Sequence, residues 1–182
     1  MQLSKNLEDQ ELMRLCQQGN ADCFSELYRR YNKTVFNSIL RLVTDFAQAQ
    51  DLLQEVFIVL YQEIIKGRQI QHFGNFSRRV AINKAISFLR KNKRMLVFED
   101  CHENIVEEEA VNEGLFEMRV EEVKKAISSL PEGFRTVVNL YVMDGLPQEE
   151  IAELLGISHA TVRTQYHRAK KKILSLLQKE AV

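Results

Sequence analysis

Tryptophan is absent from this chain, proline occurs twice and glycine seven times in 182 residues. With so few helix breakers beside abundant Leu, Glu, Gln, Lys and Arg, an all-α chain is predicted. No period-two run is long enough to mark a strand. Cysteine is also scarce: Cys16, Cys23 and Cys101 are an odd number without CxxC spacing. That excludes a disulfide framework and a zinc site, and predicts a reducing compartment. Cys16 and Cys23 fall at apolar helical positions and are expected in the core. No apolar run approaches the ~20 residues that span a bilayer, and no secretory leader pattern opens the chain. No membrane insertion is therefore expected, and a cytoplasmic location is. Nothing resembles a nucleophile–base pair, a metal cluster or a glycine-rich phosphate loop, so the chain is expected to be no enzyme. No cofactor, metal or small-molecule substrate is expected either.

Net charge is missing too, but only by cancellation, with 25 basic and 25 acidic residues. Residues 1–94 hold 15 basic and 9 acidic side chains, whereas 96–126 hold 3 and 10. The remainder is near balance, with 7 and 6. The first segment suits a polyanion and the middle one repels it. Helical patterning predicts helices over Asp9–Gln18, Ala21–Val43, Phe46–Ile65, with an Asp45–Gln48 capping box, and His72–Asn92. An acidic, weakly periodic stretch follows. Two more helices are expected over Gly114–Leu130 and Gly133–Met143. The layout is two small helical domains, 6–96 and 113–182, joined by a linker at 97–112.

The sharpest local signal is PQEEIAELLGISHATVRTQYHRAKKK, from Pro147 to Lys172. Ala152 is small where one helix crosses close over another. Gly156 stands where a turn needs positive φ. Ser158 can cap a new helix, and Val162 can lock the pair from inside. This is the pattern of a helix-turn-helix, whose second helix enters the DNA major groove. Its expected outer face carries Arg163, Thr164, Gln165, His167 and Arg168, then Lys170, Lys171 and Lys172.

Two further signals lie in the first domain. In Asp51–Ile64, Leu52, Leu53, Val56, Phe57, Leu60 and Ile64 recur at helical spacing and can be buried. Asp51, Gln54, Glu55 and Gln62 lie off that stripe. Asp51 and Glu55 have no partner histidine or third carboxylate, so a polar docking or solvated face fits better than catalysis. In His72–Arg94, Val80, Ala81, Ala85, Ile86 and Leu89 make an apolar stripe. Arg78, Arg79, Lys84, Arg90, Lys91, Lys93 and Arg94 line the other side, with Phe73 and Phe76 near the start. Cations that track phosphates and aromatics that support unstacked bases suit single-stranded nucleic acid. For each phenylalanine alone, a core position is the competing assignment.

DLLQEVF, FGNFSRRVAINKAISFLRKNKR, LPEGFRTVVNLYVMDGLPQEEIAELLGIS and ATVRTQYHRAKKK, in this order and spacing, resemble an extracytoplasmic-function (ECF) bacterial sigma factor. The resemblance covers nearly the whole chain. It implies a sigma-two and a sigma-four domain, binding to core RNA polymerase, and promoter recognition at the −10 and −35 elements with opening of the former. It implies that Asp51, Leu52, Gln54, Glu55 and Phe57 dock on the polymerase clamp helices. Residues 67–75 would form the loop that captures a flipped base, and Asn83 would take part in −10 recognition. Arg78, Arg79, Lys84, Arg90, Lys91 and Arg94 would hold phosphates. Arg163, Thr164, His167 and Arg168 would face the −35 element, with Lys171 beside them on the DNA. Gln165 stands where many relatives carry Arg, Pro147 where they carry Ser, and Phe76-Ser77 where Trp-Leu is common. Glu107, Glu108 and Glu109 lie in a linker that runs toward the RNA channel in such proteins, and an anti-sigma factor is an implied partner. The competing function is a free-standing dimeric helix-turn-helix regulator. It accounts for Pro147–Lys172 but not for the basic helix or the docking face.

Overall fold

In a computed structural model of the chain, residues 7–91 and 120–180 are described. The chain divides into two units, Met1–Arg94 and Met95–Val182. All regular elements among the described residues are helical. The expected linker at 97–112, with Cys101 and Glu107 to Glu109, lies outside the described residues, as do Lys93 and Arg94.

The first unit packs four helices, α1 (Asp9–Gln17), α2 (Ala21–Val43), α3 (Phe46–Ile65) and α4 (Phe73–Lys91). Local chemistry sets their ends. Gly19 adopts φ +91 and stops α1. The Asn20 side chain accepts from the Asp22 N–H at 3.1 Å to start α2. Asp45 Oδ1 accepts from the Gln48 N–H at 2.8 Å to start α3. The expected spans of α2 and α3 are reproduced, α1 ends one residue early at Gln17, and α4 starts one residue late at Phe73, with Asn92 outside the described residues.

Leu12, Leu27, Val35, Ile39, Leu60, Ile64, Phe73, Ile82, Ile86 and Leu89 are essentially solvent-free and make the core. Cys16 and Cys23 are buried there as expected, and burial pushes both thiols above their usual range. A polar network ties α1 to α2 at the edge of that core. Arg30 bridges Asp9 at 3.0 Å and Glu26 at 2.9 Å, Arg29 reaches Glu26 at 2.7 Å, and the Tyr31 hydroxyl donates to Asp9. Hydrogen bonds from Arg29 and Arg30 hold the Glu26 carboxyl down to about 2. Burial and then the Asp9 contact push the Tyr31 phenol up to about 12.

The second unit holds α5 (Val120–Ser128), α6 (Glu132–Val138), α7 (Gln148–Leu155) and α8 (His159–Glu180). Ile127, Leu130, Val138 and Ala169 form a core cluster, with Phe134, Tyr166 and Ile173 packed against it. The helix expected over Gly133–Met143 is not uniform. After Val138 it widens into a π-helical segment, Asn139–Met143, closed by a 3.0 Å bond from the Asp144 N–H to the Asn139 carbonyl. Asn139 and Leu140 stay buried, whereas Tyr141, Val142 and Met143 turn outward.

Candidate nucleic-acid interface

The helix-turn-helix forms as its residues dictate. Gly156 takes φ +69 at the end of α7, and its N–H donates to the Ala152 carbonyl at 2.9 Å. The Ile157 N–H reaches the same carbonyl at 3.1 Å. Ser158 Oγ accepts from the Thr161 N–H at 3.0 Å and caps α8. Ala152 is 8% exposed and Val162 fully buried, so the two helices close on each other. Pro147 sits at the cap position of α7, just before its first turn.

On α8, Ala160, Arg163, His167, Lys170 and Lys171 are exposed and spaced as one helical stripe, and Lys172 is exposed beside it. Thr164 and Gln165, expected on the outer face, are not there. They are 7% and 1% exposed, and Thr164 Oγ1 donates back to the Ala160 carbonyl at 2.9 Å. The ~100° turn per residue carries Gln165 off the stripe and into the unit, whereas Thr164, one turn after Ala160, is buried with its hydroxyl folded back on the helix backbone. Arg168 is half-buried on a neighbouring flank, away from that stripe.

On α4, Asn75, Arg79, Asn83, Ser87 and Arg90 form a second exposed polar stripe, with Lys91 exposed beside it. Arg78 and Lys84 are half-buried on its edge. Lys84 Nζ pairs with Glu55 Oε2 at 3.0 Å, joining α4 to α3. Phe73 cannot support a base: it is 0% exposed and packs edge-on to Tyr31, centroids 5.2 Å apart. Phe76 is half-buried under the Arg68 guanidinium, 4.9 Å from its ring centre.

On α3 the structure splits the expected docking set in two. Asp51, Gln54 and Glu55 are exposed, but Leu52 and Phe57 are each 4% exposed and belong to the core. The apolar side chains that do reach the surface of α3 are Phe46, Ile58, Tyr61 and Ile65. They escaped the sequence reading because an apolar residue flanked by other apolar residues carries no mark of its face. Ser87 escaped because serine has no charge to draw attention to it, although its spacing from Asn83 was visible.

The regions that carry these two stripes also match known proteins. Residues 27–95 match the sigma-70 region 2 family and residues 120–173 match sigma-70 region 4. The chain is 30% identical to the Escherichia coli ECF RNA polymerase sigma-E factor, over 97% of both chains. It is also 30% identical to the Pseudomonas aeruginosa RNA polymerase sigma-H factor, over 94% of both. The chain belongs to the ECF sigma factors.

This sigma factor shares its fold with CnrH, solved in complex with the cytosolic domain of CnrY, at 19% identity and a TM-score of 0.54 over 94% of this chain and 97% of that one. It also shares it with Bartonella quintana RpoE, solved with the anti-sigma factor NepR, at 18% identity and a TM-score of 0.53 over 85% and 96% of the two chains. Region 2 of the sigma factor thus contains the α4 stripe and the exposed face of α3, and region 4 contains the stripe on α8. A sigma factor directs core RNA polymerase to promoters, and the family is not one of enzymes. Among the described residues there is no cluster of His, Cys, Asp and Glu that could hold a metal. No described helix is long and apolar enough to cross a membrane.

Proposed function

We propose that this ECF sigma factor divides promoter recognition between its two units, with opening assigned to the first. The observation that carries the division is the pair of exposed stripes, Asn75–Arg79–Asn83–Ser87–Arg90 on α4 and Arg163–His167–Lys170–Lys171 on α8. An α-helix that presents an N-terminal arginine followed by lysines fits a duplex major groove. The arginine can pair with guanine O6 and N7, and the lysines neutralise phosphates. That assigns the −35 element to α8, with Arg163 and His167 reading bases. A helix with amides and cations in one line suits a separated strand. That assigns the −10 element to α4, with Asn83 on a base edge and Arg79, Arg90 and Lys91 on phosphates. Core polymerase docks on α3 through Asp51, Gln54 and Glu55, with Ile58 and Tyr61 adding apolar area. Leu52 and Phe57 act by shaping that helix from within.

The domains are assigned to 6–96 and 113–182, and the protein works in the cytoplasm, where its polymerase partner is. An anti-sigma factor as a further partner is supported by Bartonella quintana RpoE, a protein of the same fold solved with the anti-sigma factor NepR. A free-standing dimeric regulator is not favoured, because it leaves the α4 stripe and the α3 face without a task.

In vitro transcription with purified core polymerase on a genomic library tests the proposal. Specific start sites that depend on this chain are expected. Absence of a holoenzyme, or footprinting of duplex DNA by the chain alone, would remove it.

A further inference from the structure

The first turn of α4 rests on one side chain of α2. A Cβ built at Gly74 would lie 2.8 Å from Tyr31 Cε1, so the α4 backbone comes this close to the ring only because residue 74 is glycine. Phe73, fully buried, meets the same ring edge-on at a centroid separation of 5.2 Å. Asn75, the next residue, is exposed and opens the stripe that continues through Arg79 and Asn83. The ring therefore abuts the two residues just before that stripe begins. Its other end is anchored. The Tyr31 hydroxyl donates to Asp9 Oδ2, while Asp9 Oδ1 accepts from Arg30 at 3.0 Å. Arg30 also reaches Glu26 at 2.9 Å, and Arg29 donates to both oxygens of Glu26, at 2.8 and 2.7 Å. A carboxylate engaged at both oxygens keeps one orientation, and so does the phenol bonded to it. Packing alone asks for less than this. Glycine in a helix sacrifices propensity, and a partly buried ion network sacrifices hydration, where an alanine facing a smaller apolar side chain would sacrifice neither. What the glycine and the anchored ring supply together is a fixed approach of α4 to α2.

We propose that Tyr31, held by Asp9, is a positioning residue for opening of the −10 element: it sets where the first turn of α4, and with it Asn75 and Arg79, stands when the strand arrives. The inference rests on the promoter-opening role assigned to the first unit. What it adds is a determinant on α1 and α2, outside both exposed stripes. Placement matters because amide and guanidinium donors must meet their partners at ~3 Å and in line.

Stopped-flow opening of a promoter with a fluorescent base in the −10 element, at rising holoenzyme concentration, tests this. The half-saturating concentration reports binding of closed promoter, and the limiting rate reports opening. Tyr31→Phe keeps the ring and removes only its hydroxyl, whereas Asp9→Ala removes the anchor. Each is expected to slow the limiting rate by roughly two- to tenfold, the worth of one hydrogen bond, at an unchanged half-saturating concentration. The double variant should be no slower than Asp9→Ala, because both changes act through one contact. A chain that merely folded less well would lose amplitude and keep its limiting rate. Full limiting rates in both single variants, with or without lost amplitude or a raised half-saturating concentration, overturn the positioning role. A double variant slowed by the product of the two single effects overturns it as well. A wild-type holoenzyme that forms no open complex would instead remove the function beneath the inference.

Discussion

Gly74 is the second residue of α4, and two opposed effects meet there on replacement by alanine. Alanine is the better helix former, by up to about 1 kcal/mol. Against that, a Cβ at position 74 would lie 2.8 Å from Tyr31 Cε1 and 3.5 Å from Cδ1 and Cζ, where carbon atoms rest at ~3.5–4.0 Å. The ring is not free to swing. Its hydroxyl donates to Asp9, and its face meets Phe73 at a centroid separation of 5.2 Å. Overpacking of this kind costs ~1–3 kcal/mol. The clash therefore wins, and Gly74→Ala is expected to destabilise the first unit by roughly 1 kcal/mol net. Urea titration should show a lower midpoint at unchanged slope. In a Tyr31→Leu background the obstructing ring is gone, so the same replacement should become neutral or stabilising by up to about 1 kcal/mol. A higher midpoint for Gly74→Ala in the otherwise native chain would refute the reasoning, because it would mean that Tyr31 yields freely.

Other expectations follow from the same contacts. Glu26 is held at about 2, below its ordinary 4.5, so its stabilisation is complete above ~4.5 and fades as pH falls toward about 2. Glu26→Gln should flatten the acid limb of a stability–pH curve; an unaltered limb would sink this. Tyr31 is raised from 10 to about 12, so its contribution is intact below pH ~10 and is lost as pH climbs toward about 12. Tyr31→Phe should weaken that alkaline loss in the same titration. Glu55→Lys places a cation beside Lys84 on the α3 face and should reduce co-purification with core polymerase. Fold stability should change little, since the exposed Glu55–Lys84 pair is worth only ~0–1 kcal/mol. On α8, Arg163→Ala should weaken binding of the −35 element sequence-specifically by ~1–3 kcal/mol. Lys171→Ala should weaken all sequences alike and lower the salt slope by about 1. Indistinguishable profiles in a competition assay would contradict that division of labour.

Much of the molecule was legible from local chemistry. The ends of α2 and α3, the Asp45 cap, the left-handed Gly156 and the Ser158 cap all follow from groups within a few residues of each other. The buried stripes were legible too, because 3.6-residue periodicity sorts apolar from charged side chains without reference to a neighbour. The cationic character of α4 and α8 needed only counting. What failed were assignments of face for residues that periodicity leaves ambiguous. Thr164 and Gln165 were expected outward yet turn inward, and Ile58 and Tyr61, to which no face had been assigned, turn outward.

The sequence by itself thus determined the helices, their caps, the positions of the cations and the family. Only tertiary structure decided which of the marked residues reach a partner. It sent Leu52, Phe57 and Phe73 into the core, paired Lys84 with Glu55, and brought Tyr31 against Gly74. The physical reason is range. Caps and turns are settled by contacts between near neighbours, whereas burial and interhelical contacts depend on helices that meet only after the chain has folded back on itself.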